Sequence, residues 1–246
     1  MKQIAVVTGA GRGVGRITAI TLAQKGWLVV AAGRDKVAID AVAKEAGGGS
    51  VGMVCDVSDP ESVKSLFAQI KSSFGRIDLL FNNAGVVIPG VPLEDVKVED
   101  WQKVVDVNIS GVFYCTQQAF ALMKTQSPMG GRIINNGSIS ATTPRPFSIA
   151  YTSTKHAVSG LTKTASLDGR QYDIAVGQID VGNAATPMAM KMAKGVPQAN
   201  LEIKAEPLMD VALVGKSVVY MASLPPEANV MFHTVMATKM PFVGRG

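Results

Sequence analysis

Short β-branched runs alternate with longer helical stretches along almost the whole chain, and this alternation limits the fold more than any other feature. Strands are expected near Gln3–Thr8, Leu28–Ala32, Val51–Cys55, Ile77–Phe81, Arg132–Asn136 and Ile174–Ile179, with a last one near Met231–Ala237. Helices are expected near Val14–Lys25, Lys36–Ala46, Pro60–Phe74, Trp101–Lys124, Ala150–Gln171 and Val211–Ala222. The strand runs are nearly all apolar, as required when helices cover both faces of a parallel sheet. Repeated strand–helix units imply right-handed crossovers, so the expected class is α/β with a doubly wound parallel sheet. The 246 residues suit a single domain, and no linker or repeat divides them.

Composition removes several functional classes. With 47% hydrophobic and 17% charged residues the chain is a globule rather than a disordered segment. The net charge of +5 is spread without a basic run, which disfavours nucleic acid and fits a mild attraction for phosphorylated small molecules. Cys55 and Cys115 are expected to be reduced and buried, as in a cytoplasmic protein. His156 and His233 have no partner at ligand spacing; His156 is expected to pack at a helix border, and no metal is expected. The first strand begins almost at once, so no secretory leader is expected, and no apolar run reaches membrane-spanning length. From about Asn183 to Pro207 the pattern changes, with Met188, Met190 and Met192 among lysines. This stretch reads as a mobile insertion, a lid over a site, although its methionines are more often simple packing.

The turn after the first strand reads Thr8-Gly9-Ala10-Gly11-Arg12-Gly13-Val14-Gly15 and opens into a helix. Glycines let backbone approach a pyrophosphate, whose charge a helix N-terminus stabilises. The absence of a Gly-Lys-Ser/Thr ending disfavours a nucleoside triphosphatase. At the end of the second strand, where an NAD site carries an acidic residue, this chain has Gly33-Arg34. Gly33 leaves room for a 2′-phosphate, and Arg34 and Arg12 can pair with it, so NADP(H) is favoured over NAD(H). The bland alternative is two arginines solvated at loop tips.

Tyr151 and Lys155 lie four residues apart, on one face of an expected helix, with Ser138 thirteen residues before the tyrosine. A phenol titrates near ~10, so one that works at neutral pH needs a nearby cation. An ammonium about 4 Å away favours a phenolate by about 4 kcal/mol at the effective dielectric near a protein surface. Alone, the spacing describes many amphipathic helices; its weight comes from its company.

Together these residues resemble the short-chain dehydrogenase/reductase family along nearly the whole chain. The markers run in order: the glycine turn, Asp56-Val57, Asn82-Asn83-Ala84-Gly85, Asn108, Ser138, and Tyr151 with Lys155. The resemblance implies a Rossmann-like fold. It implies that Asp56 and Val57 meet the adenine, and that Asn83, Ala84 and Gly85 line the cofactor cleft. It makes Asn108, Ser138, Tyr151 and Lys155 a catalytic tetrad, with Lys155 also on the nicotinamide ribose. Two departures stand out. Val181 replaces the family's proline before Gly182, with Thr186 four residues on against the carboxamide, and the chain ends VMATKMPFVGRG. The shape of that loop, the last strand and contacts between subunits are therefore left open.

The implied activity is reversible hydride transfer between a nicotinamide and a small-molecule carbonyl or secondary alcohol, with Tyr151 as acid and base. A 3-oxoacyl-carrier-protein reductase is the rival within enzymology, and a non-catalytic cofactor-binding sensor the rival outside it. Arg145, in the wall after Ser138, is expected to face water. A dimer or tetramer built on the tyrosine helix follows from the resemblance alone.

Overall fold

The computed structural model describes residues 2–187, 189–190 and 195–243. In chain order the elements are β1 (Ile4–Thr8), α1 (Gly13–Gln24), β2 (Leu28–Gly33), α2 (Lys36–Ala46), β3 (Val51–Val54), α3 (Pro60–Phe74) and β4 (Leu79–Asn82). They continue with α4 (Val98–Val105), α5 (Gly111–Met123), β5 (Gly131–Asn136), α6 (Ile149–Gly169) and β6 (Ile174–Gly182). The short strands β7 (Val196–Pro197) and β8 (Ile203–Lys204) precede α7 (Ala212–Ser223) and β9 (Phe232–Met236). Seven strands form one parallel sheet in the order β3-β2-β1-β4-β5-β6-β9. β2 and β4 flank β1 on opposite sides, so the strand order reverses there. A crevice opens at that point beyond the carboxyl ends of the strands.

Side chains alternate across each strand, and this divides the interior into two cores. Ala5 and Val7 of β1 join Leu22, Ile39, Val214 and Val218 under α1, α2 and α7. Ile4 and Val6 turn the other way, onto Leu66, Ile70, Cys115 and Ala119 under α3 and α5. Each fully buried aliphatic side chain contributes about 1.5–3 kcal/mol. Both cysteines are free and buried. Burial, chiefly, raises the Cys55 thiol to about 11 and pushes Cys115 up as well, so neither is a ready nucleophile.

Three expectations change, and the last strand, expected near Met231–Ala237 and then left open, forms. The helix expected over Trp101–Lys124 starts earlier, at Val98, and widens into a π-helical turn over Asp106–Ser110. Despite its unusual sequence, the C-terminal region forms β9, paired in parallel with β6 from Gln178↔Phe232 to Gly182↔Met236. His156 does not pack: it lies within α6 on the outward face, with Nδ1 2.9 Å from the Thr152 carbonyl. In the stretch from 183 to 207, Met190 is exposed while Met188 and Met192 lie outside the described residues. The same stretch carries the antiparallel β7–β8 pair. Among the described residues no helix is long and apolar enough to cross a membrane.

Candidate active site

The site lies at the carboxyl ends of β1, β4, β5 and β6. After β1 the chain turns through Gly9 and Gly13, both with positive φ (62° and 56°). A Cβ on Gly15 would stand 2.4 Å from the Gly9 carbonyl oxygen, so only glycine lets α1 start so close to the strand. Val14 packs against the core and Arg12 is exposed. α1 begins without a side-chain cap, whereas Asp35 caps α2 at the Ala38 N–H (3.1 Å) and Asp59 caps α3 at the Glu61 N–H (3.0 Å). The first amides of α1 are thus left for an anionic group, and the turn fits a pyrophosphate.

β4 is bolted to this turn. Thr8 Oγ1 accepts the N–H of Asn83 (2.9 Å) and of Ala84 (3.0 Å), while Asn83 Nδ2 donates to the Thr8 carbonyl at 2.9 Å. Asn83 therefore shapes the cleft from beneath. At the far end, Arg34 is well exposed beyond Gly33, its Nη1 3.8 Å from Asp56. Burial alone would raise the Asp56 carboxyl, but the Ser58 hydroxyl (2.7 Å) and N–H (3.0 Å) and the Arg34 charge outweigh it and lower it. The Val57 side chain sits in the core, and its carbonyl lies close to Gly111.

The four residues expected to form a tetrad come from three elements. Tyr151 and Lys155 share a face of α6, with Nζ 5.4 Å from the phenol ring centre. Lys155 Nζ donates to the Asn136 carbonyl at 2.7 Å, which ties α6 to the end of β5. Ser138 Oγ accepts the Ser140 N–H at 3.1 Å, so the hydroxyl also caps the short turn that follows. Asn108 lies buried in the π-helical turn. Its amide bonds both ways with Val86, accepting N–H at 2.8 Å and donating to the carbonyl at 2.9 Å, and reaches Thr154 Oγ1 at 3.3 Å. On the opposite wall, Gly182 packs close to Met236, and Thr186 stands 3.6 Å from a Cβ built on Gly13. Residues far apart in sequence thus meet across the crevice.

Two side-chain groups escaped the sequence reading. Buried polar residues link α5 to α6 across the sheet: Asn82 Nδ2 to Thr116 Oγ1 (3.1 Å) and Asn135 Oδ1 (2.9 Å), and Asn135 Nδ2 to Thr162 Oγ1 (2.9 Å). The line continues from Thr162 Oγ1 to Gln178 Oε1 (3.0 Å), and from Gln178 Nε2 to Asp180 Oδ1 (2.8 Å). Its signal was two polar residues, 178 and 180, on one face of an otherwise apolar strand. The second group corrects the expectation for Arg145, which turns inward onto buried Glu206. Arg145 Nη2 also donates to Asn183 Oδ1 (3.0 Å), and Asn183 Nδ2 to Glu206 Oε2 (2.7 Å). Burial would raise the Glu206 carboxyl, yet bonds from Arg145, Asn183 and Gln198 and the arginine charge hold it below its usual range. The pairing depends on a carboxylate 61 residues away in the chain, which local sequence cannot announce.

A doubly wound sheet with an uncapped glycine turn at its switch point, and serine, tyrosine and lysine at the neighbouring strand ends, defines a Rossmann-type nucleotide-binding fold. A family profile described as short chain dehydrogenase matches residues 3–197. A 3beta-hydroxysteroid dehydrogenase of Mediterraneibacter gnavus is 37% identical over 208 residues, which cover 83% of this chain and 74% of that one. A 3-ketoacyl-(acyl-carrier-protein) reductase from Brucella melitensis, solved with NADH, superposes with a TM-score of 0.86 at 26% identity, covering 96% and 98% of the two chains. A metagenomic short-chain oxidoreductase solved with NADP gives 0.81 at 27% identity, covering 96% and 97%. The chain belongs to the short-chain dehydrogenase/reductase family, whose members are oxidoreductases acting on alcohol and carbonyl groups.

Proposed function

We propose that the chain interconverts a small-molecule carbonyl and its secondary alcohol with NADP(H), working mainly as a reductase. The observation that carries this reading is the Tyr151–Lys155 pair on one face of α6, tied by Lys155 to the Asn136 carbonyl two residues before Ser138 at the carboxyl end of β5. A bound dinucleotide would supply the hydride chemistry. The glycine turn and the α1 amides would hold its pyrophosphate, and Ala84, Gly85, Gly182 and Thr186 would line its path. Tyr151 exchanges the proton on the substrate oxygen, Ser138 orients and polarises that oxygen, and Lys155 keeps positive charge beside the phenol. Asn108 holds α6 and the loop after Gly85 in register for this work.

The preference for the 2′-phosphate rests on exposed Arg34 beyond Gly33, with Arg12 as a second cation. Relatives solved with NADH and with NADP both exist, so the ratio of kcat/KM for the two coenzymes is the deciding number. A panel of ketones and aldehydes with NADPH, followed at its absorbance band, tests the activity itself. Binding without turnover on any of them would favour a sensor. The second reading, reduction of a 3-oxoacyl group on a carrier protein, is favoured by the Brucella melitensis neighbour and by the net charge of +5, which suits an acidic carrier. Residues 183 to 207, anchored by the Arg145–Glu206 pair, serve in this reading as a cover for the substrate. A cytoplasmic dimer or tetramer completes the proposal.

A further inference from the structure

Lys155 and Asp180 hold the same three-residue stretch from two sides. The ammonium binds the Asn136 carbonyl at 2.7 Å, and Asp180 Oδ1 accepts the Ser138 N–H at 2.9 Å. We propose that Asp180 is a positioning residue of the active site: its carboxylate fixes the backbone of Ser138 and offsets the charge of Lys155 as felt at Tyr151. The proposal rests on the catalytic reading above and deepens it.

Three observations support a built arrangement. Asp180 is buried, and Gln178 Nε2 donates to the same Oδ1 at 2.8 Å, so one oxygen takes both bonds. Gly137 makes the room: a Cβ there would fall 2.1 Å from Asp180 Oδ1 and 2.6 Å from Gln178 Nε2. Gln178 is itself held by Thr162 and by Ser159 Oγ (2.9 Å), so the carboxylate cannot swing away without breaking the polar line. Burial raises the Asp180 carboxyl, while the bonds from Gln178 and Ser138 and the charge of Lys155 oppose that rise. A buried acidic side chain bonded to the backbone N–H of Ser138 marks a functional constraint.

Charges around Asp180 are few. The carboxyl end of β5 contributes none, and β9 sets Thr234 opposite it. α6 presents Lys155 with Tyr151, while Lys163, about two turns further on, lies over Phe232. His233 belongs to the other face, against Tyr220.

Asp180→Asn keeps an oxygen for both donors and removes only the charge. With the negative charge gone, the lysine acts on Tyr151 unopposed. The alkaline limb of the kcat/KM profile for carbonyl reduction should then move to lower pH by about half a unit to one unit, as expected for one charge several ångströms away. Asp180→Ser should move it the same way. A merely structural role lowers kcat and leaves the limb in place, which overturns the proposal. Tyr151→Phe runs alongside: if that variant turns over normally, the catalytic reading itself fails. If it is inactive and the limb stays fixed in both Asp180 variants, only the present proposal fails. Should neither variant fold, carboxyl NMR of wild-type protein with carbon-labelled aspartate decides. An Asp180 that is ionised through the active pH range supports the proposal, and a protonated one overturns it.

Discussion

The crevice has two unlike sides. At the end of β1 it is made of backbone: glycines with positive φ, an uncapped helix, and Asn83 bonded to main-chain carbonyls. At the ends of β5 and β6 it is made of side chains bonded to one another, from Asn82 through Gln178 to Asp180, and from Arg145 to Glu206. Backbone cradles accept any diphosphate of the right shape. Interlocked side chains fix a few atoms in place and tolerate little change, as expected where a substrate oxygen must be oriented.

If the contrast is real, the two sides should fail differently. The largest effect on stability is expected at the Arg145–Glu206 pair, both partners of which are nearly buried. Arg145→Ala removes the guanidinium from a nearly buried carboxylate and should cost about 3 kcal/mol in denaturant melts at neutral pH. Because the folded carboxyl is held low, the pair's stabilisation is present above the unfolded value near ~4.3 and lost as pH falls through the folded one. The gap between wild type and variant should therefore close in acid. A smaller effect is expected at Gly15→Ala, whose methyl group meets the Gly9 carbonyl. It should cost about 1–3 kcal/mol by overpacking and weaken NADPH binding, read by thermal melts and fluorescence titration. Smallest in stability is Arg34→Ser. The 3.8 Å contact with Asp56 is exposed, so melts should change by about 0.5 kcal/mol or less, while kcat/KM shifts towards NADH. A large melting change there, or an unmoved coenzyme ratio, would blur the contrast.

The same contrast explains what the sequence disclosed. Lys36–Ala46 and Pro60–Phe74 were legible to the residue, because Asp caps and glycine stops are local signals. The glycine turn was legible for the same reason: positive φ and close approach select glycine wherever they occur. The π-helical turn at Asn108 was not, since nothing local separates it from the helices on either side. Local sequence leaves Arg145 facing water, because its carboxylate lies in another segment. Asp180 and Gln178 passed for part of an apolar strand, and only the fold shows that they lie under Ser138. The chain's ending is unfamiliar, yet pairing with β6 decides β9, and pairing is a tertiary property.

The proposed chemistry turns on Tyr151. Carbonyl reduction by wild-type and Tyr151→Phe protein, with NADPH affinity measured on the same preparations, tests it most directly. The expected result is a loss of turnover of roughly 10²–10⁴-fold with coenzyme binding nearly unchanged. Turnover undiminished in the phenylalanine variant would contradict the account.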